Sequence, residues 1–135
     1  MKKKTYPLYY AGQKQHFARS VVVGDLVFLS GMSGRTMETG NVSSDDVKAQ
    51  MLVALDKVRS ALEEAGSSMD HIVKTVIYLK DVKDYDVMRA TEWEYWQNHA
   101  PGLVEEPPAS TFIMPASLAR SSMLVEIDVV ACLKD

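Results

Sequence analysis

The chain has 135 residues, 47% of them hydrophobic and 24% charged, with a formal net charge of −3. That is the balance of one globular domain with one core, so residues 1–135 read as a single domain. Without a long basic run, a nucleic-acid partner has no electrostatic support. No apolar run reaches transmembrane length, and no apolar segment of signal-peptide kind follows Met1-Lys2-Lys3-Lys4. Cys132 is the only cysteine, which leaves no internal disulfide and implies a reducing, cytoplasmic setting.

In chain order, residues 1–18 mix Lys, Tyr, Pro, Gly and Gln without periodicity and read as a frayed terminus leading into a loop. Arg19–Val23 and Leu26–Ser30 are β-rich runs joined by Gly24-Asp25, a hairpin signal because glycine accepts the positive φ of primed turns. Arg35 to Asn41 is polar and turn-rich, a surface loop. Ser43-Ser44-Asp45-Asp46 opens a helix with capping oxygens at the positive end of its dipole. Val47, Met51, Ala54, Leu55, Val58, Leu62 and Ala65 share its apolar face, Lys48, Lys57, Arg59, Glu63 and Glu64 take the rest, and Gly66 ends it.

Ile72–Leu79 is rich in β-branched residues and reads as a strand. A second helix runs from about Asp84 to Asn98, with Tyr85, Met88, Tyr95 and Trp96 near one stripe, and stops at Ala100-Pro101-Gly102. Pro107-Pro108 forbids helix, Thr111–Met114 is extended until Pro115, and Met123–Ala131 alternates with a period of two. Met123, Val125, Ile127, Val129 and Ala131 share one face of that last strand; Leu124, Glu126, Asp128 and Val130 share the other.

The expected order is β-β-α-β-α-β-β, an α+β domain in which right-handed crossovers place both helices on one face of a mixed sheet. The other face carries Leu124 and Val130 beside largely apolar strands. An exposed apolar sheet face predicts self-association.

The run PPAST, a loop, then VEI (residues 107–127) resembles the C-terminal signature of the Rid family, the YjgF/YER057c/UK114 or endoribonuclease L-PSP proteins. FARS followed by VVVGDLVFLSG (17–31) and AGSSMDHIVKTVIYLKDVKDY (65–85) resemble the family's hairpin and its helix-to-strand passage. The resemblance implies the chorismate-mutase-like Rid fold, a homotrimer, and small-molecule pockets in clefts between subunits. Many members are enamine or imine deaminases that need no cofactor or metal. On that pattern Glu126 positions the water that attacks a C=N carbon, while Phe17, Ser30, Gly31, Arg89, Ser110 and Phe112 line the pocket.

This sequence departs from the deaminase pattern at several of those positions. Ser110 stands where the carboxylate-holding arginine is expected, Phe17 where a tyrosine is common, and Phe112 where a cysteine is common. Replacing a planar, charged fork by one hydroxyl costs about 1.5–3 kcal/mol of charged hydrogen bonding. Ser110 stays open between ligand contact and plain strand residue. Arg89 reads either as a replacement cation or as a solvated helix residue, and Glu126 as a pocket carboxylate or an ion-pair partner. Arg19 and Arg120 are further cations near the presumed clefts, with Arg120 read as solvated. His16, His71 and His99 have no metal-ligand spacing, and Cys132 has no neighbouring base.

Three readings follow. One is a Rid-like trimer acting on, or binding, a small metabolite other than the usual imino acids, with a deaminase anchored by Arg89 as its variant. Another is a non-catalytic binding or interaction module on the same trimer. The third, a ribonuclease or translation inhibitor, conflicts with the charge of −3.

Overall fold

One mixed sheet, with three helices to one side of it, makes up the chain in a computed structural model that describes residues 1–135. The strands are β1 (Lys3–Tyr10), β2 (Gln13–Val23), β3 (Leu26–Leu29), β4 (Met32–Ser33), β5 (Ile72–Leu79), β6 (Ala109–Ile113) and β7 (Val125–Cys132). Their order is β1-β2-β3-β7-β5-β6, with β4 also on β7; only β5 and β6 pair in parallel. The helices are α1 (Val47–Glu64), α2 (Tyr85–His99) and the single turn-and-a-half α3 (Pro101–Glu105).

The α+β class, the mixed sheet and both long helices match the sequence expectation. The terminus does not. Residues 3–18, expected as a loop, form β1 and the first half of β2, while Arg19–Val23 is the strand expected. Together they make a long hairpin, with Tyr10 paired to Gln13 across a turn in which Ala11 and Gly12 both have positive φ (49° and 74°). Its inward residues explain why it holds: Leu8 and Tyr10 are buried, whereas their neighbours Pro7 and Tyr9 are exposed. The alternation is only two residues deep, too short to register as a period in the sequence. Strand β4 and helix α3 are likewise absent from the expected order, and the Val23–Leu26 hairpin turn at Gly24 (φ 58°) is as expected.

Asp46 caps α1 by accepting from the Ala49 N–H at 2.9 Å, and Gly66 (φ 87°) lets the chain leave it. The expected stripe is buried to the last residue, from Val47 to Ala65. It packs on Ile77, Leu79, Val125, Ile127 and Val129, each fully or almost fully buried and each contributing about 1.5–3 kcal/mol. Lys57 is the exception to the polar face: it is 5% exposed, a correction taken up below. No helix is long and apolar enough to cross a membrane.

Strand β7 alternates as read, with Val125, Ile127, Val129 and Ala131 buried under the helices and Glu126, Asp128 and Val130 half-buried on the open face. Leu26 and Phe28 of β3 and Ile113 of β6 are each about 40% exposed. The uncovered face therefore carries substantial apolar surface.

Candidate functional site

Glu126 sits on the open face of β7, opposite Ser33 on one side and Tyr78 on the other. Its carboxylate lies directly over Gly31, where a β-carbon would be 2.4 Å from Oε1. Only glycine leaves room for it there. Burial holds the Glu126 carboxyl above the usual carboxylate range, reinforced by Asp128 and opposed by the positive charge of Lys57. No side chain in the chain hydrogen-bonds it. A half-buried carboxylate with a raised pKa accepts a proton more readily than a free one, as a general base requires.

Ser30 is next to this carboxylate in sequence but is already committed. Its hydroxyl donates to the Ala18 carbonyl and its N–H to the Arg19 carbonyl, at 3.1 Å. It stitches the end of β3 to β2 and holds Gly31 in place.

Ser110 and Phe112 lie on the other face of the sheet. Thr75, buried beneath the helices, donates to Ser110 Oγ at 3.1 Å, and Phe112 meets the Tyr85 ring of α2 edge-on at 5.1 Å. Arg89 reaches down from α2 to the same place. Its Nη2 donates to Ser110 Oγ at 3.0 Å, its Nε to the Tyr85 hydroxyl at 3.1 Å, and its Nη1 to Glu92 Oε1 at 2.8 Å. Arg89 is half-buried, so the solvated-residue alternative is excluded. Burial works against its charge, but the hydrogen bonds to Tyr85 and Glu92 outweigh it and push the guanidinium pKa up. Glu92 is 5% exposed; burial raises its pKa, and Arg89 partly offsets this.

One chain therefore does not bring the expected residues together. Gly31 and Glu126 form one group; Arg89, Ser110 and Phe112 form another across the sheet. Phe17 stands apart, 51% exposed in a groove of about 410 Å³ along the β1–β2 hairpin, with Thr5, Pro7 and His16.

Among the other cations, Arg120 is exposed as expected, and its Nη1 also donates to the Gly40 carbonyl and Asn41 Oδ1, each at 3.2 Å. Arg19 turns under α1, where Nη2 donates to Ser60 Oγ at 2.8 Å. No group of three or more His, Cys, Asp or Glu side chains converges as a metal set.

Two participants escape sequence reasoning. Glu92 is not singled out in the sequence, where only its spacing of three residues from Arg89 hints at a pair. Lys57 is placed on the solvated face, yet its Nζ donates to the Tyr10 hydroxyl at 2.9 Å and to the Arg35 carbonyl at 2.8 Å. The available signal is spacing: Lys57 follows Ala54 by three and precedes Ala61 by four, on the flank of the buried stripe.

Residues 10–133 match the family model described as Endoribonuclease L-PSP, so the chain belongs to the L-PSP family, the Rid or YjgF proteins. The chain is 30% identical over 115 residues to the 2-iminobutanoate/2-iminopropanoate deaminase of Escherichia coli, covering 85% of each chain. It is 29% identical over 115 residues to a RutC family protein of Pyrococcus abyssi, covering 85% of this chain and 84% of that one. The fold overlays that of a YjgF family member from Neisseria meningitidis with a TM-score of 0.79 and 29% identity, covering 100% and 98% of the two chains. β1 lies almost wholly before the family match, which begins at its last residue.

Proposed function

We propose that the chain works as a homotrimer whose inter-subunit cleft binds a small metabolite and hydrolyses a C=N bond in it, with Arg89 in place of the absent strand arginine. The observation that carries this is the Arg89 Nη2–Ser110 Oγ hydrogen bond of 3.0 Å: a guanidinium occupies the neighbourhood of Ser110 although residue 110 does not supply it. The trimer is supported by the bare apolar face and by the split site. With Glu126 and Ser110 on opposite faces of one sheet, a common pocket needs a second copy. In that cleft Glu126 takes a proton from water as the hydroxyl adds to the C=N carbon, and returns it to the nitrogen; the resulting carbinolamine then loses its nitrogen as ammonia or an amine while its hydroxyl gives up a proton and becomes the C=O. Gly31 and Phe112 shape the walls, and Phe17 reaches in from a hairpin.

The anion anchor is weaker than a free arginine. Arg89 is paired with Glu92, so the pair is close to neutral and a substrate carboxylate gains less from it. The reading favours imines or enamines carrying less negative charge than a simple 2-imino acid. Uncharged imines generated by an amine oxidase, and 2-imino acids generated by an amino-acid oxidase, each followed with and without the protein, test it. Wild type is expected to accelerate carbonyl release, more from the uncharged imines than from the 2-imino acids, and Arg89→Ala to lower kcat/KM by about 10–100-fold, the worth of one charged hydrogen bond. No acceleration by wild type or by Ser110→Arg defeats the imine reading.

The Arg89–Glu92 pairing also favours the second reading, a binding module without turnover. Saturable binding of a 2-oxo acid by a protein that accelerates nothing separates it from the first.

A further inference from the structure

Away from these residues, the chain holds a cavity of about 310 Å³ between the β2 strand, the loop after β4 and the middle turns of α1. Its lining includes Arg19, Thr36, Asp56, Lys57 and Ser60. Arg19 is there because of a fault in the sheet. Tyr6 pairs with Ser20 and Pro7 with Ala18, leaving Arg19 as the extra residue of a β-bulge, and its side chain turns under α1 to Ser60.

The positive charge gathered at this place is countered only in part, by Glu126 acting on Lys57 without a hydrogen bond. Lys57 is buried and bonds only two neutral oxygens, those of Tyr10 and Arg35. Arg35 donates to the Gly40 carbonyl and stacks 4.0 Å from the Tyr10 ring; neither it nor Lys57 has a carboxylate within 4.0 Å. Arg19 has one distant partner, Glu64 at 3.5 Å, and its Nε–H is buried without any acceptor. Of the acids at the cavity, Asp56 is turned toward α2, accepting from the Tyr95 hydroxyl and pairing with Arg59 at 3.7 Å. Glu38 stands exposed on the loop. Buried cations and an unsatisfied N–H are each costly unless an acceptor answers them.

We propose that this cavity is a binding site for a small oxyanion, a carboxylate or phosphate group held between Arg19 and Lys57. The group's oxygens answer the Arg19 Nε–H and the Lys57 ammonium together, with Ser60 and Thr36 offering hydroxyls beside them. The volume suits a compact metabolite rather than a polymer. This site shares no residue with the Arg89–Ser110 group, although the Lys57 charge is also felt by Glu126.

Thermal unfolding of the full chain with inorganic phosphate or acetate, against sodium chloride at equal ionic strength, tests it. Saturable stabilisation by one or both oxyanions and none by chloride is expected, and the responding anion names the source. Lys57→Met and Arg19→Gln should each weaken that response at least tenfold while Arg89→Ala leaves it intact. Ser60→Ala, which removes only a hydroxyl, should weaken it by about 2–10-fold and serves if the charge variants do not fold. Equal stabilisation by chloride overturns the proposal. So does a response that survives both charge variants, or one abolished by Arg89→Ala alone.

Discussion

Gly31 and Glu126 show how far a single atom matters at this site. A β-carbon at residue 31 meets the Glu126 carboxylate at 2.4 Å, so Gly31→Ala must push that side chain away. Because Gly31 is exposed, the fold should tolerate the change. We expect imine hydrolysis to fall by about 10²-fold, the usual worth of a placed proton acceptor, with the melting temperature almost unmoved. Lys57 makes the opposite kind of prediction, one of stability. Burial, then the charges of Arg35 and Arg19, lower its pKa from 10.5 to about 8, against the opposing pull of Glu126. Between those values the unfolded chain holds the extra proton, so stability should rise with pH from about 8 toward 10, by at most about 1.4 kcal/mol per unit. Above that window Tyr10 and Tyr95 oppose the gain, because burial keeps their hydroxyls protonated in the folded chain. Urea titrations at pH 8, 9 and 10 should show the rise in wild type and not in Lys57→Met.

Among the elements, α1 was the most legible and β1 the least. The capping aspartate, the 3.6-residue stripe and the closing Gly66 all point to one helix, and they agree with its packing. Asp46→Ala removes the acceptor for the Ala49 N–H and should cost about 1 kcal/mol, read as a lowered urea midpoint with unchanged slope. Strand β1 has no such agreement of local signals. It exists because β2 offers an edge and because Leu8 and Tyr10 find buried places, Tyr10 beneath the Lys57 ammonium. Deleting residues 1–9 should expose that edge and destabilise the sheet without abolishing it, giving a lower melting temperature and faster amide exchange in β2.

At the scale of the whole molecule, the sheet has one face built to be covered by its own helices and one that is not. Leu26 and Phe28 remain about 40% exposed on the open side. Phe28→Lys should break the proposed trimer into monomers of unchanged circular dichroism, seen by native mass spectrometry, and should abolish any imine hydrolysis with it. Activity retained by the monomer would remove the shared pocket from the account. The two halves of the candidate site differ in the same way. Glu126 could be singled out because a carboxylate in an apolar strand is conspicuous. Arg89 could be singled out only through the family resemblance, and its partners Glu92 and Tyr85 not at all, because these helix residues become a site only where β6 brings Ser110 beneath them.

Periodicity and turn chemistry by themselves determined the two long helices, the central strands, the inward and outward faces of β7 and the α+β class, since each is set by residues a few positions apart. The signature around Ser110 and Glu126, taken with the segments 17–31 and 65–85 in order, determined the family. Tertiary structure alone decided that residues 3–10 pair as a strand, that Lys57 is buried, that Arg89 lies against Ser110 and that Ser110 and Glu126 face opposite ways. Each of those depends on contacts between residues distant in the chain, where one bulge or one register step changes which side chain meets which.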